Sequence, residues 1–124
     1  MPHELITVDT LDGRAEAYLS VPDDASGPLP GVVLFMDAIG IRPQIEKMAD
    51  RIAAWGYVVL APNVFYRNGT IADLAPTTEL LDPDARGAFI AEAMPRVRGL
   101  VDELAVPDIS AYVDALLARP GRRR

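Results

Sequence analysis

Polar and apolar residues alternate from the start of the chain. Leu5–Thr10 and Arg14–Ser20 are strand-like runs separated by Asp12-Gly13, a two-residue turn signal, and together they predict a β-hairpin. In the second run Ala15, Ala17 and Leu19 alternate with Arg14, Glu16, Tyr18 and Ser20, which predicts one buried and one wet face. Residues 21–30 hold three prolines, a glycine, two aspartates and a serine, and read as a loop.

The period then changes. Gly31–Met36 is a short continuous apolar run, the pattern of a parallel strand covered on both faces. Pro43 suits the first turn of a helix. Ile45, Met48, Ala49, Ile52 and Ala53 follow at spacings of three and four, and Gly56 supplies a stop. Tyr57–Ala61 is a second buried strand ended by Pro62, so residues 31–61 predict a βαβ unit. Residues 63–82 read as irregular. Residues 83–100 read as a helix that Pro95 should bend or break. A last helix from about Asp108 to Ala118 carries Ile109, Tyr112, Val113, Leu116 and Leu117 on one side. The expected class is α/β, an antiparallel edge hairpin feeding parallel strands with flanking helices. It looks unfinished, because the last amphipathic helix has no strand after it.

Composition narrows the chemistry. At 124 residues, 50% hydrophobic and 24% charged, the chain has the balance of one ordinary globular domain and not of a disordered acidic tail. Lys plus Arg is 12 against 18 Asp plus Glu, a net charge of −6. Without Arg122, Arg123 and Arg124 the balance is 9 against 18, or −9, which argues against a nucleic-acid partner. The absence of cysteine excludes disulfides, thiolate catalysis and cysteine metal sites from this chain, and His3 alone builds no histidine metal cluster. No metal site built on cysteine or on a histidine cluster is expected. The opening residues carry two acids in nine and no apolar core, unlike a secretory signal, and the charge-free stretch from Ala53 to Tyr66 is too short to cross a bilayer. The expectation is a cytoplasmic protein without a membrane partner.

In doubly wound sheets, function collects beyond the carboxyl ends of parallel strands. Here those ends are Asp37–Gly40 and Pro62–Arg67. Asp37 directly follows an apolar run and is a candidate acid; capping the next helix or tying down the loop accounts for it equally well. Arg67, after Phe65-Tyr66, is placed to meet an anionic substrate, and a solvated loop arginine is the plainer reading.

Two segments carry a resemblance. One runs from Leu29 to Ile41 (LPGVVLFMDAIGI), followed by a helix and Ala54–Asn63 (AWGYVVLAPN); the other is Asp108–Leu117 (DISAYVDALL). Together they resemble the N-terminal half of the dienelactone hydrolase family, a branch of the α/β-hydrolase fold, over about Ile6 to Gly121. The resemblance implies a hydrolase of carboxylic esters or lactones that needs no cofactor. It puts Asp37 where many members have a glutamate that meets the resting nucleophile, with a side chain one methylene shorter. It puts Ala38 where a backbone N–H contributes to the oxyanion hole, a role that needs no particular side chain. It also implies an arginine for the substrate carboxylate, with Arg67 and Arg86 both open.

The family's Gly-x-(Cys or Ser)-x-Gly elbow is missing, since none of Ser20, Ser26 and Ser110 has glycines at both flanking positions. His3 lies upstream of any place the fold puts its histidine and reads as a surface residue. Residues 1–124 are therefore expected to form a single partial domain without nucleophile, histidine or C-terminal half, and to be inactive alone. The alternative reading is a non-catalytic half-domain that associates with itself or with a complementary C-terminal chain. In either case Val32–Met36 would keep an unpaired apolar edge.

Overall fold

The computed structural model describes residues 3–23, 29–37, 40–76, 82–118 and 122–123. Strands β1 (His3–Thr10) and β2 (Gly13–Ser20) form the expected hairpin. Thr10 pairs with Gly13, so the turn residues are Leu11-Asp12, one position earlier than Asp12-Gly13 suggests, and Gly13 takes the positive φ of 154°. Strand β3 (Leu29–Val33), helix α1 (Pro43–Ala54) and strand β4 (Val58–Pro62) make the βαβ unit, with β3 and β4 parallel. The sheet order is β1-β2-β4-β3-β5, where β5 is Arg122–Arg123, parallel to Leu29–Pro30. Strand β2 runs antiparallel to both β1 and β4, which makes the sheet mixed.

Alternation along the strands sorts two cores. Ala15, Ala17, Leu19, Val58 and Leu60 face Tyr112 and Leu116 on one side; Tyr18, Val59 and Ala61 face Ile45, Ala49 and Ala53 of α1 on the other. Strand β2 departs from its expected wet face here. Tyr18 and Ser20 are buried because β2 is interior, between β1 and β4, and α1 packs over its second half. Strand β3 departs the other way. It is only half-buried, because β5 pairs outward with Leu29 and Pro30 alone, and no described strand covers the outer side of Val32 and Val33.

Helix α1 keeps its expected bounds, with Ile45, Ala49 and Ala53 buried, Ile52 half-buried and Met48 44% exposed. Met48 is thus not a core residue. Ile45→Ala should cost about 2–5 kcal/mol, Ile52→Ala clearly less, and Glu46→Ala close to nothing. Urea melts giving equal losses for all three would put the helix in another phase.

The remaining helices are α2 (Ile71–Leu74), α3 (Pro83–Gly99) and α4 (Asp102–Ala118). The first interrupts a segment expected to be irregular, and its signal was a capping box: Thr70 accepts from the Asp73 amide while Asp73 accepts from the Thr70 amide. Helix α3 runs unbroken through Pro95. The Ala91 carbonyl, which loses its donor there, lies on an exposed residue open to water. Helix α4 begins six residues before the expected Asp108 and continues through Pro107 for the same reason, since Glu103 is exposed. Its buried positions are Asp108, Tyr112 and Leu116, whereas Ile109 and Val113 are about 40% exposed. The apolar stripe expected on α4 is rotated accordingly.

Candidate functional site at the carboxyl ends of the parallel strands

Strands β3 and β4 deliver Met36–Asp37 and Asn63–Arg67 to the same end of the sheet. Met36, Gly40, Asn63 and Phe65 share a cavity of about 10 Å³, the room of a single water. Asn63 is buried and organises the loop after β4: its side chain accepts from the Phe65 amide (3.2 Å) and donates to the Gly69 carbonyl (3.1 Å). The Glu16 carboxylate accepts from the Ile71 amide, which ties β2 to the start of α2.

Asp37 is held at the end of β3, and the partner is a cation. Its two carboxylate oxygens accept from Nη1 and Nη2 of Arg42 at 2.7 and 2.9 Å, a bidentate pair. This pair ties Asp37 to the residue that precedes α1. Ala38, the candidate oxyanion donor, lies outside the described residues.

Arg67 is engaged within the fold. It bonds Asp12 of the hairpin turn at 2.7 Å and Asp108 of α4 at 2.8 Å, with Asp108 almost fully buried. The Tyr66 hydroxyl donates to Asp108 (3.0 Å) and accepts from Thr10 (2.7 Å), so one cluster joins hairpin, β4 loop and α4. Burial, more than the neighbouring Asp108 charge, raises the pKa of Tyr66 and Tyr112. Arg86 is exposed on α3. Sequence reasoning missed Arg96: its Nε is buried without a hydrogen-bond partner, and its guanidinium lies 5.9 Å from the Phe65 ring and 5.7 Å from the Phe89 ring. Phe89 lies seven residues earlier on the same helix, a spacing the sequence shows, whereas Phe65 comes from a different element.

Among the described residues, His3 and the serines do not come together as a triad. His3 is exposed and stacks on the Tyr18 ring at 5.4 Å. Ser20, its register partner, is fully buried and donates to Asp50 at 2.7 Å, closed to any substrate. Ser110 is exposed on α4, and Ser26 lies outside the described residues. Among the described residues no group of three or more His, Cys, Asp or Glu is arranged to hold a metal ion, and no helix is long and apolar enough to cross a membrane.

The model of the dienelactone hydrolase family matches residues 15–123. The chain belongs to that family. A "Putative carboxymethylenebutenolidase" of Yersinia pestis is 29% identical over 76 residues, covering 61% of this chain and 28% of that protein. A "Putative hydrolase fragment YghX" of Escherichia coli (strain K12) is 40% identical over 62 residues, covering 48% of this chain and 53% of that one. Among solved structures, "m3DLH" superposes with a TM-score of 0.72 at 24% identity, covering 98% of this chain and 45% of that one. A dienelactone hydrolase-like promiscuous phosphotriesterase, P91, from metagenomic libraries superposes at 0.65 and 25% identity, covering 99% and 46%. The chain thus spans less than half the length of these solved dienelactone hydrolase folds, and its fold is the N-terminal part of theirs.

Proposed function

We propose that this chain is the N-terminal part of a cytoplasmic hydrolase of small carboxylic esters or lactones, a single partial domain that is inactive alone. The observation that carries the reading is the parallel β3-α1-β4 unit with a tied loop at the carboxyl end of β3, in a chain that matches the family over residues 15–123. Ester hydrolysis needs an attacking nucleophile, a base to take its proton, and donors for the carbonyl oxygen as it becomes negative. This chain would supply one donor, the Ala38 amide. Among the described residues it offers no nucleophile–histidine pair, and Asp37 is paired with Arg42. No cofactor, nucleic acid or membrane enters the scheme.

Purified residues 1–124 should therefore leave p-nitrophenyl acetate unhydrolysed above a buffer-plus-inert-protein control. Turnover that survives repurification and disappears on Asp37→Ala would sink this reading in favour of a carboxylate mechanism.

A second reading, association through the sheet edge, is favoured by one observation. Phe35, Ile109 and Val113 are exposed by 39–49%, and the first two line a cavity of about 240 Å³ between the segment after β3, Val64 and α4. Pairing that edge with a second copy, or with a chain carrying the remaining strands, satisfies backbone groups and removes apolar surface together. Size-exclusion chromatography with light scattering should show an oligomer or soluble aggregate at micromolar concentration. A monodisperse 13.4 kDa species with a sharp melt would refute it.

A further inference from the structure

We propose that the outer face of α4 is a docking surface for the outer face of α1 in a second copy of this chain. Val106, Ile109 and Val113 follow one another on α4 at spacings of three and four, so they form one stripe. All three are exposed, Val106 by 58%. On α1 the exposed Met48, the half-buried Ile52 and Trp55 at the helix C-cap are spaced in the same way, and Trp55 is 68% exposed. The ends of each stripe are seven residues apart, roughly 10 Å along a helix. The two stripes cannot meet within one chain. Helix α4 packs through Tyr112 and Leu116 on one side of the sheet, and α1 packs through Ile45, Ala49 and Ala53 on the other.

Charge decides which surfaces pair. Helix α4 has no lysine, arginine or histidine, and its exposed charges are Asp102, Glu103 and Asp114. Helix α1 carries both signs, but its acids Glu46 and Asp50 are half-buried, and Asp50 accepts from the Tyr18 and Ser20 hydroxyls of the sheet. The exposed charges of α1 are therefore Lys47 and Arg51, beside Met48 and Trp55. Two copies meeting α4 to α4 would set acids against acids, and α1 to α1 would set cations against cations. Only α4 to α1 places opposite signs around an apolar seam. Such a contact joins different surfaces and leaves one of each unused, so it propagates from copy to copy unless its rotation closes a ring. It uses the helices on the two sides of the sheet, not the edge of β3, and so is independent of pairing at that edge.

Mass by light scattering and tryptophan emission, both followed against concentration on the full chain, test the docking. Trp55 is the one tryptophan in the sequence, so its emission should move to the blue as the mass rises, and added salt should shrink both changes. Trp55→Ala should raise the concentration needed for half-association by about tenfold or more. Charge reversal gives the sharper result. Lys47→Glu with Arg51→Glu leaves both faces acidic, and Glu103→Lys with Asp114→Lys leaves both with exposed lysines, so each double variant alone should lose the blue shift. Mixed in equal amounts, the acidic α1 of one meets the basic α4 of the other, the reverse pair also matches, and the shift should return. Association with Trp55 emission unchanged, as edge pairing alone would give, overturns the proposal. So does a monomer at every concentration, or a mixture that behaves as the sum of its parts.

Discussion

Arg67→Ala should cost about 3–5 kcal/mol, the range for breaking a buried ion pair by removing one partner, which is a large share of the roughly 5–15 kcal/mol that holds a domain folded. Asp108 is 2% exposed and loses its cation partner when the guanidinium is removed, with the Tyr66 hydroxyl the one side-chain donor left to it among the described residues. The double change Arg67→Met with Asp108→Leu should be milder than Arg67→Ala, because no charge is then left in the interior. Urea unfolding of the three proteins provides the comparison. Equal losses for the single and the double change would mean that packing, and not the stranded carboxylate, sets the cost.

Alkaline pH should unfold the protein through its tyrosines. Burial is the first cause raising the pKa of Tyr18, Tyr66 and Tyr112; hydrogen bonding to Asp50 adds to it at Tyr18, and the Asp108 charge adds to it at Tyr112. A raised pKa means that the folded chain holds these protons more tightly than the unfolded one. The stability they contribute is complete below the unfolded tyrosine value, about 10, and is lost as pH rises through the higher folded values. Tyrosinate absorbance from these residues should appear together with loss of circular dichroism, and Tyr112→Phe should weaken the pH dependence. Ionisation of all three with the dichroism intact would contradict the burial that the fold assigns them.

The parts of the fold legible in the sequence are those written in local pattern. The hairpin, the βαβ unit and α1 all appear as runs with punctuation at either end, and their bounds hold to within a few residues. What was not legible depends on neighbours distant in the chain. Alternation in β2 gave one wet face, yet Tyr18 and Ser20 are buried by a helix thirty residues on, where Asp50 accepts from both hydroxyls. The rotation of α4 follows from Asp108, whose partner Arg67 lies 41 residues upstream. Pro95 suggested a bend or break, but a helix on a wet surface tolerates the lost bond. At the candidate site, the position of Asp37 was readable and its partner was not: Arg42 falls outside the preferred cap residues, so nothing in the local code pointed to it.

The strand order also sets a timetable for synthesis. The hairpin's inner strand β2 pairs with β4, so its second neighbour is not the strand made next. While the ribosome adds β3 and α1, the newly made Gly13–Ser20 strand has only β1 beside it. At roughly 5–20 residues per second, that interval lasts about 2–8 s. During it Leu19 and Tyr18, destined for opposite cores, are both open to the cytosol. A slow stretch of translation between Ser20 and Val58 would lengthen the wait and expose the nascent chain to chaperones; a fast one would shorten it.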